Sequence, residues 1–494
     1  MTLLPRTPDW SALLTLSVDR DHEQSLFRQL YNEMRRVILS GAVTPGSRLP
    51  ATRHLAQMLG VSRMLVVGVY EQLVAEGYAE GRTGAGTFVS GDMLEPLAAP
   101  KPSVAESAMA ASRPSPARRY AALTPNPAQF SALPFNTGRC SLDERTLKIW
   151  RSLTAAQLRH VDPQWLGYSD PRGALPLRAA VARYLRASRG VKCDAAQIMI
   201  VSGTQQAIDL VLKVLIEPGD TVWIEDPVYH AMHAALKAAQ ANIVPVPVDG
   251  QGMIVSAGIA ASPAARAVYV TPSDQSPSGV VLSMARRQEL LAWAREARSW
   301  VIEDDYNSEF RYAGRPLASL QGIDQGERVI YLGTFSKVLF PGLRLGYVVV
   351  PPELHDAMMA ARFLTDRHGP GITEGVMTEF IEQGHLGAHI RRMCSFYRRA
   401  RDELTAELNA RLGDYLTVAP PDQGMHLIAH LRPDLSDVAI AKAAALRGVV
   451  VRPVSHFYVA APPVSALMLG FTGYDLPTLH RAAEALVGVF EGCG

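Results

Sequence analysis

The chain has 494 residues, 48% hydrophobic and 19% charged, with a formal net charge of +2. That length exceeds what one hydrophobic core ordinarily serves, so two or three domains are expected. The near-neutral balance excludes a partner selected by global charge. With no lysine-rich leader and no apolar run approaching a membrane span, a soluble, cytoplasmic protein without a membrane partner is expected.

Residues 12–90 read as three helices and a hairpin. Leu26, Phe27, Leu30, Met34, Val37 and Ile38 mark one helical face that Gly41 ends. A short helix from Thr52 to Leu59 stops at Gly60, and Ser62 caps a third helix. There Val66, Val69, Tyr70 and Leu73 recur at helical spacing until Gly77. "GYAEGRTGAGTFV" then reads as two short strands around a glycine turn. Residues 91–128, rich in alanine and proline and without apolar periodicity, read as a flexible linker.

From 129 to 494, short β-rich runs such as "QIMIVSG", "TVWIEDP", "AVYVTPS", "SWVIEDDY" and "RVIYLGTFSK" alternate with helical stretches. This order predicts an α/β fold with a largely parallel sheet covered by helices. Cys140, Cys193, Cys394 and Cys493 lie far apart without CxxC spacing, which argues against structural zinc, predicts no metal site and fits a reducing compartment.

The front module has the order of a winged helix-turn-helix. Its second helix of the pair enters the major groove by its N-terminal end, where Ser62 and Arg63 stand. Arg48 and Arg53 are expected to reach phosphates, and the tip Gly84-Ala85-Gly86-Thr87 to bring backbone amides to the duplex. Residues 20–90 hold eight arginines, no lysine and six acids, so positive charge must gather on one face. The alternative for such a domain is a helical protein-contact module. The run from "LFRQLYNEMRR" to "GRTGAGTFV" resembles the GntR-type winged helix along its whole length, which implies binding to double-stranded promoter DNA. One departure is Leu65, where that family often has threonine.

In "YLGTFSKVLFPGLRLGYVVV" a lysine, Lys337, follows an apolar strand, and Arg344 comes seven residues later. Lysine at such a place either clamps a phosphate or attacks an aldehyde. Pyridoxal 5'-phosphate needs an amine for its aldehyde, a carboxylate for its ring nitrogen and a cradle for its phosphate. Asp304 ends the strand "SWVIEDDY" with Tyr306 two residues on, and Asp305 rivals Asp304 for the ring nitrogen. Gly203, Thr204 and Gln205 follow a strand and open a helix, an arrangement suited to an anion. Ser336 and Arg344 flank Lys337 as further phosphate ligands, and Tyr229 in "EDPVY" is suited to stacking on a ring.

"YSDPRGALPLRAAVARYL", "SGTQQAIDL", "EDPVY", "VIEDDYNSEFRY", "GTFSKVLFPGLRLGY" and "GVVVRPVSHFY" are similar to the motifs of fold-type I aminotransferases, in the same order over about 130–475. With its front module the chain resembles the MocR family of PLP-dependent transcriptional regulators. The resemblance implies that Lys337 bonds the cofactor and that Asp304 pairs with its ring nitrogen. It implies also that Tyr306 meets the ring hydroxyl, that Tyr229 stacks, and that Thr204, Ser336 and Arg344 hold the phosphate. Tyr168 resembles the tyrosine that reaches the phosphate of a partner subunit, so a homodimer is implied.

Departures from the pattern bear on activity. Met468, in "ALMLGFTGYD", stands where aminotransferases carry the arginine that binds the substrate carboxylate. Ala231 replaces a second arginine of some relatives, and Ser276 stands where enzymes tend to have asparagine and regulators an aromatic residue. Arg452, His230 and His456 are the candidates to compensate, against an ordinary reading of each as structural or surface. These departures imply sensing of the cofactor itself or of an amino compound, without physiological turnover beyond half-reactions. The alternative is an active aminotransferase with an appended DNA-binding module.

Overall fold

The computed structural model describes residues 18–19, 24–91, 115–125, 130–159, 166–314, 318–325 and 327–492. The beginning of the expected front module, Cys493 and most of the expected linker lie outside these residues. The chain divides into two units, Met1–Pro114 and Ser115–Gly494.

In the first unit, α1 (Leu26–Leu39) begins at Ser25, whose hydroxyl accepts the Arg28 N–H at 3.4 Å. Leu30, Met34, Val37 and Ile38 are buried, while Leu26 and Phe27 at its start are only partly covered. Helix α2 (Thr52–Leu59) ends at Gly60, which takes the left-handed conformation at φ 65° that a side chain would resist. Ser62 caps α3 (Arg63–Ala75) by accepting the Leu65 N–H at 3.2 Å, and Val66, Val69, Tyr70 and Leu73 are buried. Strands β1 (Ala79–Arg82) and β2 (Gly86–Val89) pair antiparallel, Ala79 with Val89 and Arg82 with Gly86. The wing tip is therefore shorter than expected. Gly86 and Thr87 open the second strand because they pair with Arg82 and Gly81 of the first, and the Thr87 carbonyl also accepts the Leu49 N–H at 2.8 Å.

Part of the segment read as a flexible linker is ordered: Ser115–Ala121 is a helix of the second unit. Its proline, Pro116, does not break it because it sits in the first turn, where a missing N–H costs no hydrogen bond.

The second unit contains an eight-stranded sheet. Its strands are β3 (Ile198–Val201), β4 (Thr221–Asp226), β5 (Asn242–Asp249), β6 (Gly252–Met253), β7 (Ala267–Val270), β8 (Trp300–Asp305), β9 (Val329–Thr334) and β10 (Gly346–Val349). They lie in the order β3-β10-β9-β8-β7-β4-β5-β6. The run from β9 to β5 is parallel, as the alternating order predicts; β10 and β6 are antiparallel. Helices cover both faces, and the strands divide their side chains by the two-residue period. Val222, Ile224, Ile302 and Leu332 pack toward Thr204–Leu215 on one side. Trp223, Val268 and Val301 pack toward Met284–Glu296 on the other.

A four-stranded antiparallel sheet follows: β11 (Leu416–Val418), β12 (His426–Leu431), β13 (Arg452–Pro453) and β14 (Ala466–Gly470), in the order β11-β12-β14-β13. It packs on the long helix His385–Leu412 and on Leu476–Glu491. Asp226, buried at the end of β4, ties this smaller layer to the large sheet. Its carboxylate accepts the N–H groups of Val459, Ala460 and Ala461 at 2.8, 2.8 and 2.7 Å. The Val228 N–H donates to the Phe457 carbonyl at 3.0 Å beside it. The three amides lie on a segment that is exposed or half-buried, Val459 being 38% exposed, so each of their hydrogen bonds to the buried carboxylate contributes about 1 kcal/mol or more. Asp226→Ala should therefore lower the chain's urea-unfolding free energy by about 3 kcal/mol or more. Asp226→Asn, which keeps one acceptor oxygen, should lose less.

Candidate functional site

Strands β9 and β10 are antiparallel neighbours, with Thr334 opposite Gly346, so the loop between them brings both of its ends to one edge of the sheet. Lys337 stands at the start of that loop and Arg344 at its end. Arg344 takes the left-handed conformation at φ 52°, uncommon for a side-chain-bearing residue, and lies against Gly203. Gly203 itself, at φ 99°, precedes the helix Thr204–Leu215, whose first turn opens toward the same space. A Cβ at Gly203 would sit 3.5 Å from the Arg344 guanidinium. Lys337 and Arg344, seven residues apart, thus both lie within the single connection between β9 and β10.

Lys337, Asp304, Tyr306, Tyr229, Gly203, Thr204, Gln205, Ser336 and Arg344 all line one cavity of about 360 Å³. That volume suits a small cofactor. Tyr168 does not join them. Its ring is 81% exposed and meets the Arg367 guanidinium, 4.1 Å from the ring centre.

Strand alternation decides between the two aspartates. Asp304 continues the row of Trp300 and Ile302, and its Oδ2 accepts the Tyr269 hydroxyl at 2.6 Å. Asp305 points to the opposite face, where Arg189 and the Tyr331 hydroxyl reach its Oδ2 at 2.8 and 2.6 Å. Asp304 lines the cavity and Asp305 does not. The other oxygen of Asp304 and the hydroxyl of Ser336 are buried without a hydrogen-bond partner. Both are sites that the ring nitrogen and phosphate of pyridoxal phosphate would satisfy, so these residues fit the group that the motifs imply. The Tyr306 hydroxyl donates to Asp274 at 3.3 Å, which holds its ring at the cavity wall.

Several contributors escape the strand motifs. Thr137 and Gly138 line the cavity, and a Cβ on Gly138 would lie 2.6 Å from the Lys337 amine, so glycine alone leaves that amine its room. Cys140 donates its thiol to the Lys337 carbonyl at 3.0 Å, and burial pushes that thiol up to about 11. The sequence signal was present in "NTGRC", yet nothing in its spacing ties it to a lysine almost two hundred residues away. Arg452, read as an ordinary structural or surface residue, instead lines the cavity together with Met468. His230 and His456 line an adjoining cavity of about 910 Å³, which Tyr229, Arg452 and Phe457 share.

In the first unit Arg53, Ser62, Arg63, Gly84 and Gly86 are exposed, and Arg48 is exposed beside the wing, its Nε 3.0 Å from where a Cβ on Gly86 would be. Thr87 is half-buried. Leu65, the departure from the threonine pattern, packs partly into the core, which explains an apolar residue there. The neighbouring Met64 is 75% exposed at the start of α3, an apolar side chain that periodicity had not singled out.

Desolvation sets the electrostatics of the cavity. It lowers the pKa of the Lys337 amine, with Arg452 adding to the effect and Cys140 and Asp304 opposing it. Burial pushes Asp304 up to about 7, against the Tyr269 hydrogen bond and Lys337 and with help from Asp305. A carboxyl with a folded-state pKa above its unfolded value near ~4 holds a proton that the unfolded chain has released. Its contribution to stability is complete below pH ~4 and is lost as pH rises through about 7. In the cofactor-free chain, Asp304→Asn should gain stability relative to the native sequence as urea midpoints are followed upward across that window. A difference that stays constant with pH would mean that Asp304 ionises normally.

Residues 131–486 match the family described as aminotransferase class I and II, and residues 26–89 match the gntR family of bacterial regulatory proteins. The chain is 36% identical to the probable rhizopine catabolism regulatory protein MocR of Rhizobium meliloti, over 96% of both chains. It is 29% identical to the pyridoxine biosynthesis regulator PdxR of Corynebacterium glutamicum, over 94% of this chain and 96% of that one. Among solved structures, kynurenine aminotransferase of Pyrococcus horikoshii, in complex with PMP, matches with a TM-score of 0.67 at 28% identity, covering 78% of this chain and 96% of that one. The α-aminoadipate aminotransferase LysN of Thermus thermophilus, complexed with a phosphopyridoxyl-leucine, gives 0.70 at 25%, covering 78% and 98%. A gntR-type winged helix joined to an aminotransferase fold, aligned end to end with such regulators, makes this chain a member of the MocR family of transcriptional regulators.

Proposed function

We propose that the second unit holds pyridoxal phosphate on Lys337 and reads a small molecule through it, changing how the winged helix holds promoter DNA. The observation that carries this reading is the pair of buried, unbonded oxygens of Asp304 and Ser336 in one cavity with a lysine amine of lowered pKa. Bound there, the cofactor supplies an electrophilic aldehyde and a protonated ring that withdraws electrons.

The chain's own residues then have separate tasks. Lys337 offers an amine whose pKa desolvation lowers, which favours its nucleophilic form. Asp304 presents its free oxygen to the ring nitrogen, and Tyr269 fixes the other. Tyr306 and Tyr229 border the ring, the former oriented by Asp274. Ser336, Thr204, Arg344 and the amides after Gly203 form the phosphate cradle at a helix N-terminus. Tyr168, exposed and outside the cavity of its own chain, suits the phosphate of a second subunit, so the regulator works as a cytoplasmic homodimer. Met468, unable to neutralise a carboxylate from β14, favours sensing over turnover.

Arg63 and Ser62 at the exposed start of α3 read base edges, and Arg48, Arg53 and the wing residues Gly84, Gly86 and Thr87 meet the backbone. Borohydride reduction of the cofactor-loaded chain should fix a pyridoxyl group on the peptide containing Lys337, as read by mass spectrometry. Lys337→Ala should lose that adduct and keep DNA affinity in low salt. Arg63→Ala should keep the adduct and weaken promoter binding by about ten- to a hundredfold, the worth of one good base contact. An unmodified Lys337 after incubation with excess cofactor would defeat the cofactor reading. Undiminished promoter affinity in Arg63→Ala would defeat the assignment of α3.

A further inference from the structure

The first turn of α3 carries an exposed apolar side chain. Met64 is 75% exposed, whereas Leu65 beside it packs partly into the core and Val66 is buried. With about 3.6 residues per turn, Met64 lies nearly opposite the middle of the buried row Val66, Val69, Tyr70 and Leu73. Packing within the first unit therefore does not account for it. An isolated exposed methionine is ordinary on a protein surface; what distinguishes this one is where it stands.

It follows Arg63 in the turn that Ser62 caps, where the Ser62 hydroxyl accepts the Leu65 N–H at 3.2 Å. That bond fixes the direction in which the first turn leaves the preceding loop. Arg53 and Arg63 are exposed. The ion pairs among the described residues of the first unit, Arg36 with Glu33 and Arg82 with Glu80, engage neither of them. An apolar side chain framed by guanidinium groups is poorly matched to an apolar protein surface and well matched to duplex DNA. There the phosphates neutralise the arginines while the major groove offers an apolar group. Thymine alone among the bases carries one in that groove, its C5 methyl. The winged-helix match over residues 26–89 includes this turn.

We propose that Met64 is a base-reading residue that recognises the methyl group of a thymine in the operator. This rests on the proposed placement of α3 in the major groove and adds to it a second side chain and the base it selects. Methionine suits the task, because its rotatable bonds and polarisable sulfur let it close on a methyl group without a fixed hydrogen-bond geometry. Consecutive Cα atoms lie about 3.8 Å apart, near the ~3.4 Å step along a DNA strand. The thymine therefore belongs beside the base pair that Arg63 contacts.

The test begins with selection of binding sites from a random duplex pool by the full chain, with and without pyridoxal phosphate. Each thymine of the selected site is then replaced singly by deoxyuridine, which removes the methyl and keeps every hydrogen-bonding group. One such replacement, beside the base pair whose preference is lost in Arg63→Ala, should weaken binding about three- to fivefold, the worth of one buried methyl group. In Met64→Ala that penalty should vanish, because the variant already lacks the contact, and Met64→Leu should keep part of it. A site that tolerates uracil at every thymine overturns the assignment. So does a penalty that persists in Met64→Ala, which would give the methyl to another residue. Either result leaves the placement of α3 standing if Arg63→Ala still weakens the site. A pool that yields no enriched site defeats that placement and Met64 with it.

Discussion

The cavity depends on a single electrostatic constraint: ionisable groups are held out of water at the ends of β8 and β9, with few partners to compensate them. Asp304 has one oxygen bonded to Tyr269 and one bonded to nothing; the Ser336 hydroxyl is likewise unbonded. Unsatisfied buried groups are exceptional in folded proteins because each forfeits the hydrogen bonds it made in water. They persist where a rigid scaffold over-determines them. Here the scaffold includes the ion pair of Asp305 with Arg189 on the opposite face, itself braced by Tyr331 and by Ser273, which accepts from Arg189 at 2.7 Å. One aspartate is ion-paired on the far face while its neighbour faces the cavity.

That division was only half legible in the sequence. "EDDY" announces carboxylates at a strand end, but two adjacent aspartates are equivalent until the burial of each face is known. Once Ile302 and Val301 are seen on opposite helical layers, alternation assigns the pair without further information. Glycine stops and serine caps were readable because they are local: Gly60, Ser62 and the apolar spacing of α3 each act within one helical turn. Pro116 misled because proline is a poor helix residue everywhere except the first turn, and composition averages over that distinction.

Long-range partnerships were not legible. Asp226 sits in a motif that draws attention to Tyr229, yet its own role is to gather three amides more than two hundred residues away. Gly138 and Cys140 serve Lys337 across a comparable gap. Arg452 was visible as a residue, but its relation to Met468 exists only in the register of β13 on β14. In each case the residue type was visible in the chain and the partner that gives it meaning was not.

The two units have separate buried cores, one built on Leu30, Met34, Val69 and Leu73 and the others on the sheets of the second unit. The clusters share no residue, so any influence of an effector on DNA must be expressed as an equilibrium between states that both sites distinguish. On the proposed function this imposes reciprocity: the factor by which effector changes DNA affinity is the factor by which DNA changes effector affinity. A ligand that merely filled the cavity, binding both states equally, would alter nothing at the winged helix however tightly it bound. A small molecule held between Lys337 and β13 is suited to make the distinction. β13 belongs to the smaller layer and Lys337 to the large sheet, and a molecule bridging them favours whichever state holds the two layers at its own length.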